Sequence, residues 1–264
     1  MAKWYEEFFD RLYYETYRVF EDEERNEREA RFIVEALGLP RGSLILDLAC
    51  GYARHAVYLA KWGYHVTCLD LSDYLLERAR ERVERFQVDD MVEVVKGDMR
   101  KLDYDSELDG AYNFFTSFGF FSDDENFKVL EGVARALKPG GVFLLDLWNP
   151  IQVIYNAYIH NGPRRTWHEA GGYIILEEVS YDLYNARLNA ERTFYKDSMK
   201  PVATRRFTVR FYMYWEIRDL LDRTGMAIER VYGSYKGEEY SYTSPRMIIV
   251  ARRTSTKQAS KKPI

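Results

Sequence analysis

The run Leu44-Ile45-Leu46-Asp47-Leu48 passes directly into Ala49-Cys50-Gly51-Tyr52-Ala53, and an apolar helical pattern follows from Arg54-His55. Apolar residues around a single acid read as a strand buried on both faces, as inside a parallel sheet. The small residues after it allow a tight bend and close approach by a partner. A helix opening at such a bend leaves its first N–H groups free, which makes the bend a candidate site for a nucleotide-type ligand.

Four later segments repeat the strand-then-bend arrangement. Tyr64 to Asp70 reads as a second strand ending in an acid, and Met91 to Val95 as a third, followed by Gly97-Asp98-Met99. Asp109 to Phe115 reads as a fourth strand, and Lys138-Pro139-Gly140-Gly141 turns into a fifth, Val142 to Leu147. Helical spacing predicts helices over Tyr5 to Phe20, Glu23 to Leu37, Ser72 to Phe86 and Asp123 to Leu137. Strands alternating with helices of this length indicate βαβ units and a doubly wound, mostly parallel α/β sheet.

The alternation breaks at Trp148-Asn149-Pro150. Tyr173 to Tyr181, Arg187 to Tyr195 and Ala203 to Tyr212 are β-rich, with a turn at Asp182 to Asn185, and predict an antiparallel insertion. Trp215 to Thr224 returns to helix, and Met226 to Tyr232 and Arg246 to Ala251 complete the main sheet. The expected division is a core from 1–147 and 213–252, an inserted β lid or substrate wall from 148–212, and a disordered polar tail from 253–264.

The chain has 264 residues and a formal charge of -4, an acidic balance that argues against nucleic acid as a partner. No apolar run is long enough to span a bilayer. The opening residues are unlike a secretory signal, so a cytoplasmic protein is expected. Cys50 and Cys68 lack neighbours at metal-ligand spacing and read as reduced, buried side chains with no metal implied.

The ordered series of strands, bend, Asp70, Asp98 and Pro-Gly-Gly turn resembles the class I S-adenosylmethionine-dependent methyltransferases, of the small-molecule type with an inserted β lid. The resemblance implies a seven-stranded Rossmann-like methyltransferase fold with S-adenosyl-L-methionine as cofactor. It puts the methionine part of the cofactor against the loop Asp47 to Ala53, with Ala49, Gly51 and Arg54. Asp70 then serves the ribose, Leu71 the adenine face, and Asp98 with Met99 the adenine edge. Phe114 lies where the cofactor meets the fourth strand, and Tyr14 or Tyr13 comes from the N-terminal helical cover. A dinucleotide-binding fold shares the bend and the second acid, but its fingerprint requires glycine where this chain has Arg54.

Ser117, Trp148 and Tyr155 are the candidate substrate residues, on an edge made aromatic by Phe114, Phe118, Phe120 and Phe121. Such an edge suits an apolar or cationic small molecule. Phe115 reads as core. The family's Asn-Pro-Pro-aromatic motif for planar nitrogens is absent after the fourth strand. Of the histidines, His55 is expected to shape the methionine pocket, His65 to be structural, and His160 and His168 to lie in exposed parts of the insertion. With no catalytic base identified, nitrogen is expected as the acceptor rather than oxygen. Two other readings remain: methylation of protein or RNA through Arg164-Arg165 and Arg205-Arg206, and a non-catalytic sensor of the cofactor.

Overall fold

The computed structural model describes residues 3–20, 22–160, 162–197 and 200–254. The strands are β1 (Leu44–Leu48), β2 (His65–Asp70), β3 (Val92–Lys96), β4 (Leu108–Asn113), β5 (Leu137–Trp148), β6 (Arg164–Ala170), β7 (Tyr173–Asp182), β8 (Arg187–Tyr195), β9 (Pro201–Arg210), β10 (Met226–Tyr232) and β11 (Arg246–Arg253). The helices are α1 (Trp4–Phe8), α2 (Arg11–Tyr17), α3 (Glu23–Leu37), α4 (Ala56–Lys61), α5 (Asp73–Phe86), α6 (Asp123–Ala136), α7 (Pro150–His160) and α8 (Tyr214–Arg223).

Alternation along the central strands assigns each helix to a side of the sheet. On β5, Val142 and Leu144 face one way with Ile45 of β1, and Phe143, Leu145 and Leu147 face the other with Leu46 and Leu48. The first set packs with Ile33 of α3, Val57 of α4 and Leu76 of α5, and the second with Leu130 of α6 and Ile217 of α8. Both faces of the strands are therefore dry, which is why they read as apolar runs.

The main sheet has the order β10-β11-β5-β4-β1-β2-β3, with β11 antiparallel to both its neighbours. From β1 the chain builds outward through β2 and β3, then returns to β4 on the other side of β1. The sheet order thus reverses between β1 and β4, and a crevice opens beyond their carboxyl ends. A second, antiparallel sheet, β6-β7-β8-β9, follows β5 and α7.

Several expected boundaries move. The single N-terminal helix is two, because Asp10 accepts from the Tyr13 N–H at 3.1 Å and caps α2. The helix after the bend begins only at Ala56, since Ala49, Gly51 and Ala53 all take left-handed φ (66°, 58° and 58°). The insertion also contains α7 and β6, neither expected. For α7 the signal was Pro150 at the first helical position, behind an Asn149 whose Oδ1 accepts from the Ile151 N–H at 3.1 Å. Arg253, assigned to the tail, ends β11, and the rest of that tail lies outside the described residues from 255 onward. Among the described residues no helix is long and apolar enough to cross a membrane.

The insertion is seated on the core at Gly119, whose carbonyl accepts from the Arg210 N–H at 2.8 Å. Gly119 has φ 101°, and a Cβ there would lie 2.4 Å from the Arg210 carbonyl oxygen. Gly119→Ala is expected to cost roughly 2–4 kcal/mol from combined backbone strain and overpacking, read as a lowered midpoint in urea denaturation.

Candidate functional site

The carboxyl ends of β1, β2, β3 and β4 converge on one cleft with two halves. A narrow half of about 90 Å³ is bordered by Asp70, Leu71, Asp98 and Met99, with Tyr5 and Phe121 closing it. A wide half of about 260 Å³ is bordered by Asp47, Arg54, His55, Phe114, Phe115 and Trp148. Phe9, Tyr13, Ala49, Gly51, Ser117 and Phe120 line both halves and join them.

The bend after β1 is fixed from three sides. The Ala49 and Cys50 N–H groups donate to the Leu69 carbonyl at 2.9 and 3.1 Å. Asp70 accepts from the Gly51 N–H on Oδ2 and from the Ser72 N–H on Oδ1, both at 2.9 Å. Beneath the bend, the buried Glu29 accepts from Arg54 Nη1 at 3.0 Å, His55 Nε2 at 2.9 Å and Arg25 Nε at 2.9 Å.

These contacts set the charges. Burial works to raise the Glu29 carboxyl, but His55, Arg54 and Arg25 outweigh it and hold its pKa down to about 2. Burial and the Arg54 charge push His55 down to about 4 against the pull of Glu29, so His55 is neutral with its proton on Nε2. Asp47 moves the other way: burial raises it to about 7, opposed by the Tyr112 hydroxyl that donates to Oδ2 at 2.6 Å. Burial also raises Asp70, against the N–H groups of Ser72, Gly51 and Leu71. Asp98 is lowered, because Arg100 overcomes the effect of burial by bonding both its oxygens.

The loop after β4 is a second strained bend. Phe115 and Thr116 have φ 63° and 62°, which side chains of their size rarely adopt. Asp146, fully buried, holds them: its Oδ2 accepts from the Phe115 N–H at 2.8 Å and its carbonyl from the Thr116 N–H at 3.2 Å. Arg246 bonds Asp146 Oδ1 at 2.8 Å and Thr116 Oγ1 at 2.6 Å, and the Tyr235 hydroxyl donates to Asp146 Oδ2 at 2.9 Å.

The structure brings Asp47, Ala49, Gly51, Arg54, Asp70, Leu71, Asp98, Met99, Phe114, Ser117 and Trp148 to the cleft. Tyr14 does not line it, because its ring is turned to Tyr52 and Tyr74; Tyr13, one position earlier, does. Tyr155 is likewise away from it, 55% exposed on α7. Phe115 is not core but 41% exposed at the cleft wall, with the Arg54 guanidinium 4.7 Å from its ring centre. His65 is exposed at the start of β2, and neither His160 nor His168 borders the cleft.

Sequence reasoning missed the N-terminal wall of Trp4, Phe8 and Tyr17, and the Phe207, Val209 and Arg192 contributed by the inserted sheet. The wall had a legible signal in the aromatic density of residues 4–17, which periodicity alone attributes to helix packing. Glu29 had none, since an acid in an acid-rich helix looks solvated.

Residues 45–141 match the family model described as a methyltransferase domain. The chain is 29% identical to a cypemycin N-terminal methyltransferase of a Streptomyces species over 225 residues, covering 80% of this chain and 84% of that one. A solved S-adenosylmethionine-dependent methyltransferase from Clostridium acetobutylicum superposes with TM-score 0.76 at 18% identity, over 92% of this chain and 96% of that one. An amino pentose methyltransferase from Micromonospora echinaspora, solved with S-adenosylmethionine bound, superposes with TM-score 0.64 at 20% identity, over 88% and 91% of the two chains.

The raised Asp47 carboxyl has a consequence for stability. Between pH 4 and 7 the unfolded chain releases a proton that the folded chain retains, so this residue makes stability fall as pH rises through that window. Asp47→Asn removes the effect while keeping an acceptor for Tyr112. Without added cofactor, the variant's stability relative to wild type should increase from pH 4 to 7 by roughly 4 kcal/mol at most. Urea denaturation at stepped pH measures this, and a pH-independent difference would contradict it.

Proposed function

Because the chain belongs to the class I S-adenosylmethionine-dependent methyltransferases, we propose that it methylates an amine nitrogen of a small molecule held in the wide half of the cleft. The cofactor is S-adenosylmethionine. Gly51 supports the fit: it lines both halves, and a Cβ built on it would meet no protein atom within 4 Å, so the bend is open on the side a ligand needs. Asp70 and Leu71 would hold the ribose and adenine, with Asp98 and Met99 at the adenine edge. Asp47, Ala49, Arg54 and Phe114 would border the methionine end.

When bound, the cofactor supplies a methyl carbon activated by a sulfonium, which takes the bonding electron pair and becomes a neutral thioether. The chain's work is to align the nucleophile and exclude water. Phe9, Tyr13 and Phe120 sit between the two halves and Trp148 borders the wide one, so aromatic rings surround the place where the reacting atoms meet. The inserted sheet, through Phe207 and Val209, serves as the far wall.

The state of the proton acceptors is the observation that carries the choice of nitrogen. His55, held down to about 4, is a weak base, and Asp47, although raised to about 7 by burial, is engaged through Oδ2 by the Tyr112 hydroxyl. A hydroxyl acceptor needs its proton removed during attack, whereas a neutral amine attacks with its own lone pair and loses a proton to water afterwards. The names of the cypemycin N-terminal methyltransferase and the amino pentose methyltransferase agree with this reading. A nucleic-acid acceptor is disfavoured because Arg165, Arg205 and Arg206 are each paired, with Glu178, Asp10 and Glu191.

Two measurements test the proposal. Asp70→Ala should weaken S-adenosylmethionine binding by roughly 1.5–3 kcal/mol in calorimetry, while neither protein binds NAD. Turnover of cofactor labelled with ¹³C at the methyl group, over a panel of small amines and alcohols, should place the label on nitrogen; label found on oxygen alone would overturn the choice of acceptor.

A further inference from the structure

The inserted sheet sends one charged side chain into the wide half of the cleft. Arg192 lies on β8 opposite Glu177 of β7 and Arg205 of β9. Its Nε donates to Glu177, its Nη1 donates to the Tyr17 hydroxyl, and the side chain is 15% exposed. The guanidinium is bedded among rings, 5.0 Å from the centre of Phe207, 5.3 Å from Tyr17 and 5.9 Å from Phe8.

A guanidinium carries five N–H groups in a fixed fork. Two are used, and among the described residues Nη2 has no partner. Both N–H groups of Nη2 are therefore available, and a guanidinium matches a carboxylate with donors of this kind. The contrast with the other arginines of the wide half is informative. Arg54 is committed to Glu29 and Asn26, and Arg246 to Asp146 and Thr116. A second guanidinium, Arg205, stands directly across the strand from Arg192 on Asp10. Like charges placed opposite each other cost stability, and each of the two is held by a carboxylate of its own, Glu177 and Asp10.

We propose that Arg192 is the specificity-determining residue of the acceptor subsite, taking a carboxylate of the substrate, so that the preferred acceptors are amines bearing a carboxylate, of the amino-acid class. The amine rests on the reading given above; the carboxylate subsite does not, and binding alone tests it.

The probes are matched pairs that differ only in the carboxylate: tryptophan and tryptamine, tyrosine and tyramine, phenylalanine and phenethylamine. Each is titrated into the full chain saturated with S-adenosylhomocysteine. Within at least one pair the carboxylate-bearing member should bind about 10- to 100-fold tighter, the range for a charge-assisted bond. Arg192→Gln should abolish that preference, and Arg192→Lys, which keeps the charge but not the fork, should retain only a fraction of it. Unchanged S-adenosylmethionine affinity in both variants shows that they fold. Equal behaviour of both members in every pair, including absence of binding by both, overturns the proposal, as does a preference that survives Arg192→Gln. A carboxylate preference without label transfer to any amine would leave Arg192 in place and refute the N-methylation reading instead.

Discussion

The bend after β1 is held in a shape that its own backbone resists. Two alanines at positive φ cost roughly 1–2 kcal/mol each, and the one bond within the bend, from the Ala53 N–H to the Cys50 carbonyl at 3.1 Å, offsets only part of that. The compensation comes from other elements: Leu69 and Asp70 at the end of β2, and Glu29 from α3, a buried carboxylate that gathers three donors. A hydrogen bond to a charged group contributes about 1.5–3 kcal/mol, so these contacts outweigh the strain together but not singly. The cleft therefore exists only where α3, β1 and β2 are already assembled.

The loop after β4 repeats the solution with different residues. Its two left-handed positions are Phe115 and Thr116, and the buried carboxylate is Asp146, supplied by β5 and neutralised by Arg246 from β11. Both bends turn strained backbone to the cleft and keep the opposing ion pair beneath it. The charges under the floor are thus paired internally, and ligand binding need not disrupt them. Arg192, on the inserted sheet, has Nε and Nη1 engaged and Nη2 left over at the wide half of the cleft.

The period-two and apolar runs that name β1, β2, β4 and β5 are legible because those strands are buried on both faces, and Ser72 and Ser122 mark the starts of α5 and α6 by capping them. Asp70 and Asp98 were legible for the same reason, since strand ends fix where an acid must point. What stayed hidden depends on contacts distant in sequence. Glu29 meets Arg54 and His55 twenty-five and twenty-six residues away, and Arg246 meets Asp146 across one hundred. Tyr13 and Tyr14 differ by one helical step of about 100°, which periodicity resolves only when the helix start is known. The break at Phe9-Asp10 sets that start, and it leaves no mark on the apolar spacing around it.

The walls above this floor are built on a different principle. Trp4 meets Phe120 at 5.0 Å and Phe8 meets Phe207 at 5.1 Å, joining the N-terminal helices to the core on one side and to the inserted sheet on the other. Each such ring pair contributes only about 0.5–1.5 kcal/mol beyond its buried area, with loose geometric demands, whereas the ion pairs below are fixed in direction and desolvated. Strain and charge thus fix the shape of the floor, and aromatic contacts shape the walls above it.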